Sequence, residues 1–86
     1  MSNMKKIAKD IVKMFDDEYD ITKFEDLEDE GVDMWETITE YIYDNFGQKE
    51  GDSMFVTSKS GSFEKLSAEL KKLGWEDPEY NESKKN

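Results

Sequence analysis

The chain has 86 residues, 40% of them charged, with 22 acids against 12 bases, no cysteine, no histidine and a formal net charge of −10. A chain of this length supports one small domain with one core and buries only about 60% of the surface its unfolded form exposes. The charge excludes free nucleic acid as a ligand, since one polyanion repels another.

Other classes fall on composition as well. All the bases are lysine, so the arginine clamp is missing along with the imidazole base and the thiolate nucleophile, and the expected protein is not an enzyme. Without cysteine there is neither a disulfide framework nor a thiolate metal site, which fits a cytoplasmic setting. No apolar run approaches the ~20 residues of a membrane span or forms a signal peptide, so no membrane association is expected. Acidic chains are often disordered, but two tryptophans, four tyrosines and five phenylalanines point to a packed core.

The negative charge is concentrated. Residues 1–15 hold four lysines and one acid, residues 16–50 hold fourteen acids and two lysines, and residues 51–86 hold seven acids and six lysines.

In chain order, Asn3 or Ser2 caps a first amphipathic helix whose Met4, Ile7, Ala8, Ile11, Met14 and Phe15 repeat at helical spacing. Lys5, Lys6, Lys9 and Lys13 lie outside, either as a solvated face or attracted to the acidic block. The run Asp16-Asp17-Glu18 is expected to end this helix, because carboxylates are unfavourable near a helix C-terminus. Tyr19 to Thr22 then turns or extends. Thr22 and Glu25 have the spacing of a capping box for a short second helix that carries Glu25, Asp26, Glu28, Asp29 and Glu30 on its exposed side and ends at Gly31.

Asp33 and Glu36 form a second capping arrangement that opens the central helix, which is expected to stop at Gly47. On this helix Trp35, Ile38, Ile42 and Phe46 share one side, and Asp33, Glu36, Glu40 and Asp44 share the other. After a polar turn over 48–52, the β-branched and aromatic content of Met54 to Thr57 reads as a short strand. Its backbone needs a partner, either the segment 19–22 in a two-stranded ribbon or the same strand of a second copy in a homodimer. A turn follows, then a last helix capped by Ser62, with Phe63, Leu66, Leu70 and Leu73 as its apolar stripe. Gly74 serves as its C-terminal cap, with Trp75 packing back. Residues 76–86 are expected to be a mobile tail beyond a single compact domain of residues 1–75. The expected fold is mainly α, three helices of different lengths plus a C-terminal helix with one short strand or ribbon, and becomes α+β if the strand pairs.

No cofactor or dedicated metal site is expected. If Gly31 took the glycine position of a calcium loop, Asp26, Glu28 and Glu30 would fall on ligand positions, but the closing glutamate position is Thr37. The central helix therefore carries the functional reading. Glu36, Glu40 and Asp44 are like charges at i, i+4 and i+8, each adjacent pair costing about 0.2 to 0.5 kcal/mol. They rise in steps of about 6 Å, comparable with the spacing of successive phosphates along a nucleic-acid strand, and Asp33 extends the row. Asp26, Glu28 and Asp29 supply a second row, with Tyr41 or Tyr43 as an aromatic contact at the edge. The plainer account of such a face is that it keeps a small protein soluble.

In size, charge and aromatic richness the chain resembles the small acidic proteins by which phages and plasmids block DNA-handling enzymes: anti-restriction proteins, uracil-DNA glycosylase inhibitors and several anti-CRISPR proteins. The resemblance is one of composition, with no shared motif, and transfers no functional residue. It implies a nucleic-acid mimic that occupies the basic groove of a host protein. The alternative is a small dimeric interaction module that binds through apolar surface, Tyr43 and Trp75 included, and through pairing of the 54–57 strand.

Overall fold

The first helix, α1 (Met4–Tyr19), starts where expected. The Asn3 side chain accepts hydrogen bonds from the Lys5 and Lys6 amides at 3.0 and 3.4 Å, satisfying two of the donors that every helix N-terminus leaves open. A computed structural model describes residues 3–57 and 61–76 of the chain. In it α1 runs through Asp16, Asp17 and Glu18 rather than stopping at them. Burial of Met14 and Phe15 holds the last turn, and Lys13 donates to Asp17 at 2.9 Å, which offsets part of the unfavourable charge. Asp20 closes the helix in the left-handed conformation (φ 58°), its amide donating to the Asp16 carbonyl. That reversal turns Ile21 into the core.

Helix α2 (Phe24–Glu30) has no side-chain cap, so Thr22 does not perform the capping expected of it. Its end is well made. Gly31 at φ 70° lets its own amide reach the Glu28 carbonyl and the Val32 amide reach the Leu27 carbonyl at 2.9 Å, the paired bonds of a Schellman turn. Helix α3 (Met34–Asp52) opens with the Asp33 carboxylate accepting from the Glu36 amide at 2.9 Å. At Gly47 the backbone leaves helical geometry (φ 92°, ψ 168°), so the expected stop is a break, after which 48–52 are helical rather than a polar turn.

The largest correction concerns the expected strand. Residues Ser53–Thr57 form a π-helical turn, and no strand occurs among the described residues. Met54 is buried and Phe55 sits against Phe63 and Tyr43, so the apolar content of this stretch serves packing. A helical turn pairs its backbone groups internally and needs no second strand. The ribbon with 19–22 and the homodimer built on a 54–57 strand both lose their basis. Helix α4 (Ser62–Lys72) begins at Gly61 in the left-handed conformation without a side-chain cap, so Ser62 does not act as one. It ends in a second Schellman turn, Trp75 donating to the Leu70 carbonyl at 2.8 Å and Gly74 to that of Lys71.

That last turn places Trp75 on Phe15, rings stacked at 5.0 Å and 15°, and so joins α4 to α1. Ile7, Ala8, Ile11, Met14 and Phe15 of α1 meet Leu66 and Leu70 of α4, and Met34, Ile38 and Ile42 of α3 complete the core. The described residues make one compact all-α domain with no buried charged side chain. No helix among them is long and apolar enough to cross a membrane. Trp75 is only 3% exposed, so it offers no docking surface of the kind the dimeric alternative needs. The expected tail lies outside the described residues except for Glu76, which is 3.7 Å from Lys71.

Candidate functional site

Burial fixes the orientation of α3. Met34, Ile38 and Ile42 are at most 2% exposed, which pins one side of the helix to the core and directs Glu36, Glu40 and Asp44 to solvent. Burying Ile38 and Ile42 contributes about 1.5 to 3 kcal/mol each, well above the about 0.2 to 0.5 kcal/mol that each adjacent like-charge pair costs. The acidic row is held outward by the hydrophobic side.

The predicted residues divide into three groups. Glu40 and Asp44 line a shallow groove of about 100 Å³ between α3 and the end of α1, together with Thr37, Tyr41 and Asn45 on one wall and Met14, Glu18 and Tyr19 on the other. Glu36 is exposed one turn earlier, and Asp33 is exposed but committed through its carboxylate to capping the helix. Asp26, half-buried, and the exposed Glu28 and Asp29 belong to α2 and do not line this groove. Tyr43 is half-buried, its hydroxyl donating to Asp52 Oδ1 at 2.7 Å, and so is engaged within the chain rather than presented at an edge.

The row is not neutralised from within. Among the described residues no ion pair involves an acid from Glu18 to Asp52. Two of the four lysines of α1 are paired within their own helix, Lys6 to Asp10 at 3.1 Å and Lys13 to Asp17 at 2.9 Å, and no α1 lysine forms an ion pair with an acid of α3. Lys13 is held more firmly protonated than usual by its hydrogen bond to Asp17 and by the Asp17 charge. The groove's Tyr41 hydroxyl is pushed above the ordinary tyrosine range, first by burial and then by the negative charges of Asp10 and Glu18, with Lys6 opposing. It remains a neutral hydrogen-bonding group beside carboxylates.

Sequence reasoning missed the polar groove residues Thr37 and Asn45 of α3, and Glu18 and Tyr19 of α1. Ending α1 at the acidic run removed the latter two from consideration. The available signal was that Glu18 stands one helical turn beyond the buried Met14, so extending the helix puts it beside α3. At about 100 Å³ the groove is smaller than the ~300 Å³ lower end of small-molecule pockets. No three acids among the described residues converge as metal ligands do. What the arrangement offers chemically is an exposed row of fixed negative charge with hydroxyl and amide groups beside it.

Comparison with known protein families, with curated proteins and with solved structures finds no match to this chain.

Proposed function

We propose that this protein is a non-enzymatic inhibitor of the phage or mobile-element type, a mimic of nucleic acid that occupies the basic groove of a host nucleic-acid-binding protein. One observation carries the reading: Glu36, Glu40 and Asp44 are exposed on a helix fixed by its buried side, joined by Glu18 across the groove, with no lysine of the described residues paired to them. A face made only for solubility has no need to keep its like charges consecutive and unrelieved at i, i+4 spacing, because interleaved lysines would serve as well and relieve the repulsion. Binding of this kind is steered by long-range attraction, forms fast and weakens steeply with salt.

The test is affinity capture from host extract at low ionic strength, eluted in salt steps, with the bound proteins identified by mass. Basic DNA- or RNA-binding proteins should elute over a narrow salt range. The triple variant E36Q/E40Q/D44N should capture none of them while keeping its helical circular-dichroism spectrum. Equal capture by the variant would remove the mimicry reading.

A further inference from the structure

In a continuous helix, residues nine apart lie on opposite sides and about 13.5 Å apart along the axis. The Tyr43 hydroxyl nevertheless donates to the Asp52 carboxylate at 2.7 Å, and its ring lies over Gly51, where a Cβ would fall 2.4 Å from Tyr43 Cε1. The chain after Gly47 is therefore folded back on the last turns before it. The turn is made at a backbone conformation (φ 92°, ψ 168°) that essentially only glycine adopts. Another positive-φ glycine, Gly61 (φ 72°), stands at the start of α4.

We infer that residues 48–57 form a hinged arm that opens about Gly47 as a unit smaller than the whole fold and is latched shut by Tyr43. Three contacts make the latch: the hydroxyl on Asp52, the ring on Gly51, and the stacking of that ring on Phe55 at 6.3 Å and 29°. The arm is anchored to the core by Met54 and by Phe55 against Phe63 of α4, while Gln48, Lys49, Glu50, Val56 and Thr57 are exposed. Beside it is a small, partly open depression of about 30 Å³ lined by Met4, Ile7, Ile42, Phe46 and Met54 together with the polar Glu50 and Ser62, a place where the arm does not fill the space against α1 and α3. Segments with few buried apolar contacts are the ones that open below the global unfolding free energy. Opening withdraws Met54 and widens the depression into a notch beside Ile42 and Phe46, on the side of α3 away from the acidic row. Tyr43 is thus assigned to the latch and not to the contact surface, and the inference stands independently of the proposed inhibitor role.

Hydrogen–deuterium exchange of the full chain, read by mass spectrometry, tests it. Amides of 50–57 should exchange at least ~10-fold faster than those of 36–42. Tyr43→Phe, which keeps the ring and removes the hydroxyl, should accelerate 50–57 by about threefold or more and leave α1 and α4 unchanged. Asp52→Asn, which keeps an acceptor, should exchange more slowly over 50–57 than Asp52→Ala. Equal protection across 36–57, or a uniform acceleration of all helices in Tyr43→Phe, would overturn the latch.

Discussion

Removing charge from the acidic row should stabilise the fold while abolishing capture of a basic partner, and the double substitution E40Q/D44N isolates the effect. Two adjacent like-charge pairs are relieved, Glu36 with Glu40 and Glu40 with Asp44, which together contribute about 0.4 to 1.0 kcal/mol. Asp44 also lies in the last turn before the break at Gly47, where a negative charge opposes the helix dipole, so its neutralisation adds about 0.3 kcal/mol. Glu36 is left in place because it stands in the first turn, where its charge is favourable. A gain of about 0.7 to 1.3 kcal/mol at low ionic strength corresponds to about 3 to 10 °C in a domain of this size. Thermal unfolding followed at 222 nm in dilute buffer measures it. In 0.5 M salt the Debye length shrinks to about 4 Å and most of the gain should vanish. A variant that is less stable than the parent at low salt would show that the two acids make favourable contacts within the chain, and the row would then need no external reader.

Three further outcomes follow from the packing. Phe15 has no exposed surface and stacks on Trp75, so Phe15→Ala should cost about 3 to 5 kcal/mol, enough to unfold most of a domain this small, as a thermal melt and Trp75 fluorescence would show. Gly51→Ala places a Cβ inside the Tyr43 ring envelope and should destabilise by about 1 to 3 kcal/mol, with loss of the Tyr43 to Asp52 hydrogen bond detectable by NMR. Tyr43 is shifted above the ordinary tyrosine range by its hydrogen bond to Asp52, by burial and by the Asp52 charge, and Tyr41 by burial and by Asp10 and Glu18. In both cases the folded state favours the neutral phenol. Their stabilising contribution is present below the unfolded-state value near pH 10 and is lost as the pH rises through the higher folded values. Absorbance titration at 295 nm should show late-ionising tyrosines, one fewer in Tyr43→Phe, and simple titration of all four at the free value would refute the assignment.

The sequence made local features legible wherever one short-range interaction decides the backbone. Asp33 caps Glu36, Gly31 and Gly74 take left-handed turns, Trp75 packs back, and the Ile38 and Ile42 stripe is buried, all as the spacing predicts. It failed where a distant partner decides. Met54 to Thr57 has strand composition, but Phe63 and Tyr43, both remote in sequence or across the break, recruit Phe55 into a helical turn. Leu73 extends the α4 stripe on paper yet is 42% exposed, because the Schellman turn rotates the chain and Trp75 fills the place instead. Phe46, expected on the buried side with Ile38 and Ile42, is 40% exposed in the last turn before the break at Gly47. The candidate site was half legible: the α3 carboxylates follow from helical period alone, whereas Glu18 required knowing how far α1 runs.

The separation of the two charge populations is what gives the acidic row its character. Lys6 and Lys13 of α1 find acids four residues on in their own helix, with exposed, salt-sensitive geometry, while Lys71 of α4 pairs with Glu76 beyond the helix end and Lys72 with Glu69 three residues before it. Such exposed pairs contribute little to stability, about 0 to 1 kcal/mol each. Their larger effect is on the field: a paired lysine is a cation partly offset by its own helix's acid, and it forms no ion pair with the α3 row. With residues 16–50 carrying fourteen acids and two lysines, the negative potential over the groove is left to decay only through solvent ions, and it extends about 8 Å at physiological ionic strength. A lysine introduced at Thr37, on the groove wall one residue from Glu36 and three from Glu40, tests this directly. It should cancel capture of a basic partner as effectively as removing a carboxylate, without touching any acid. If Thr37→Lys binds as the parent does, the groove end of the row is not where recognition occurs.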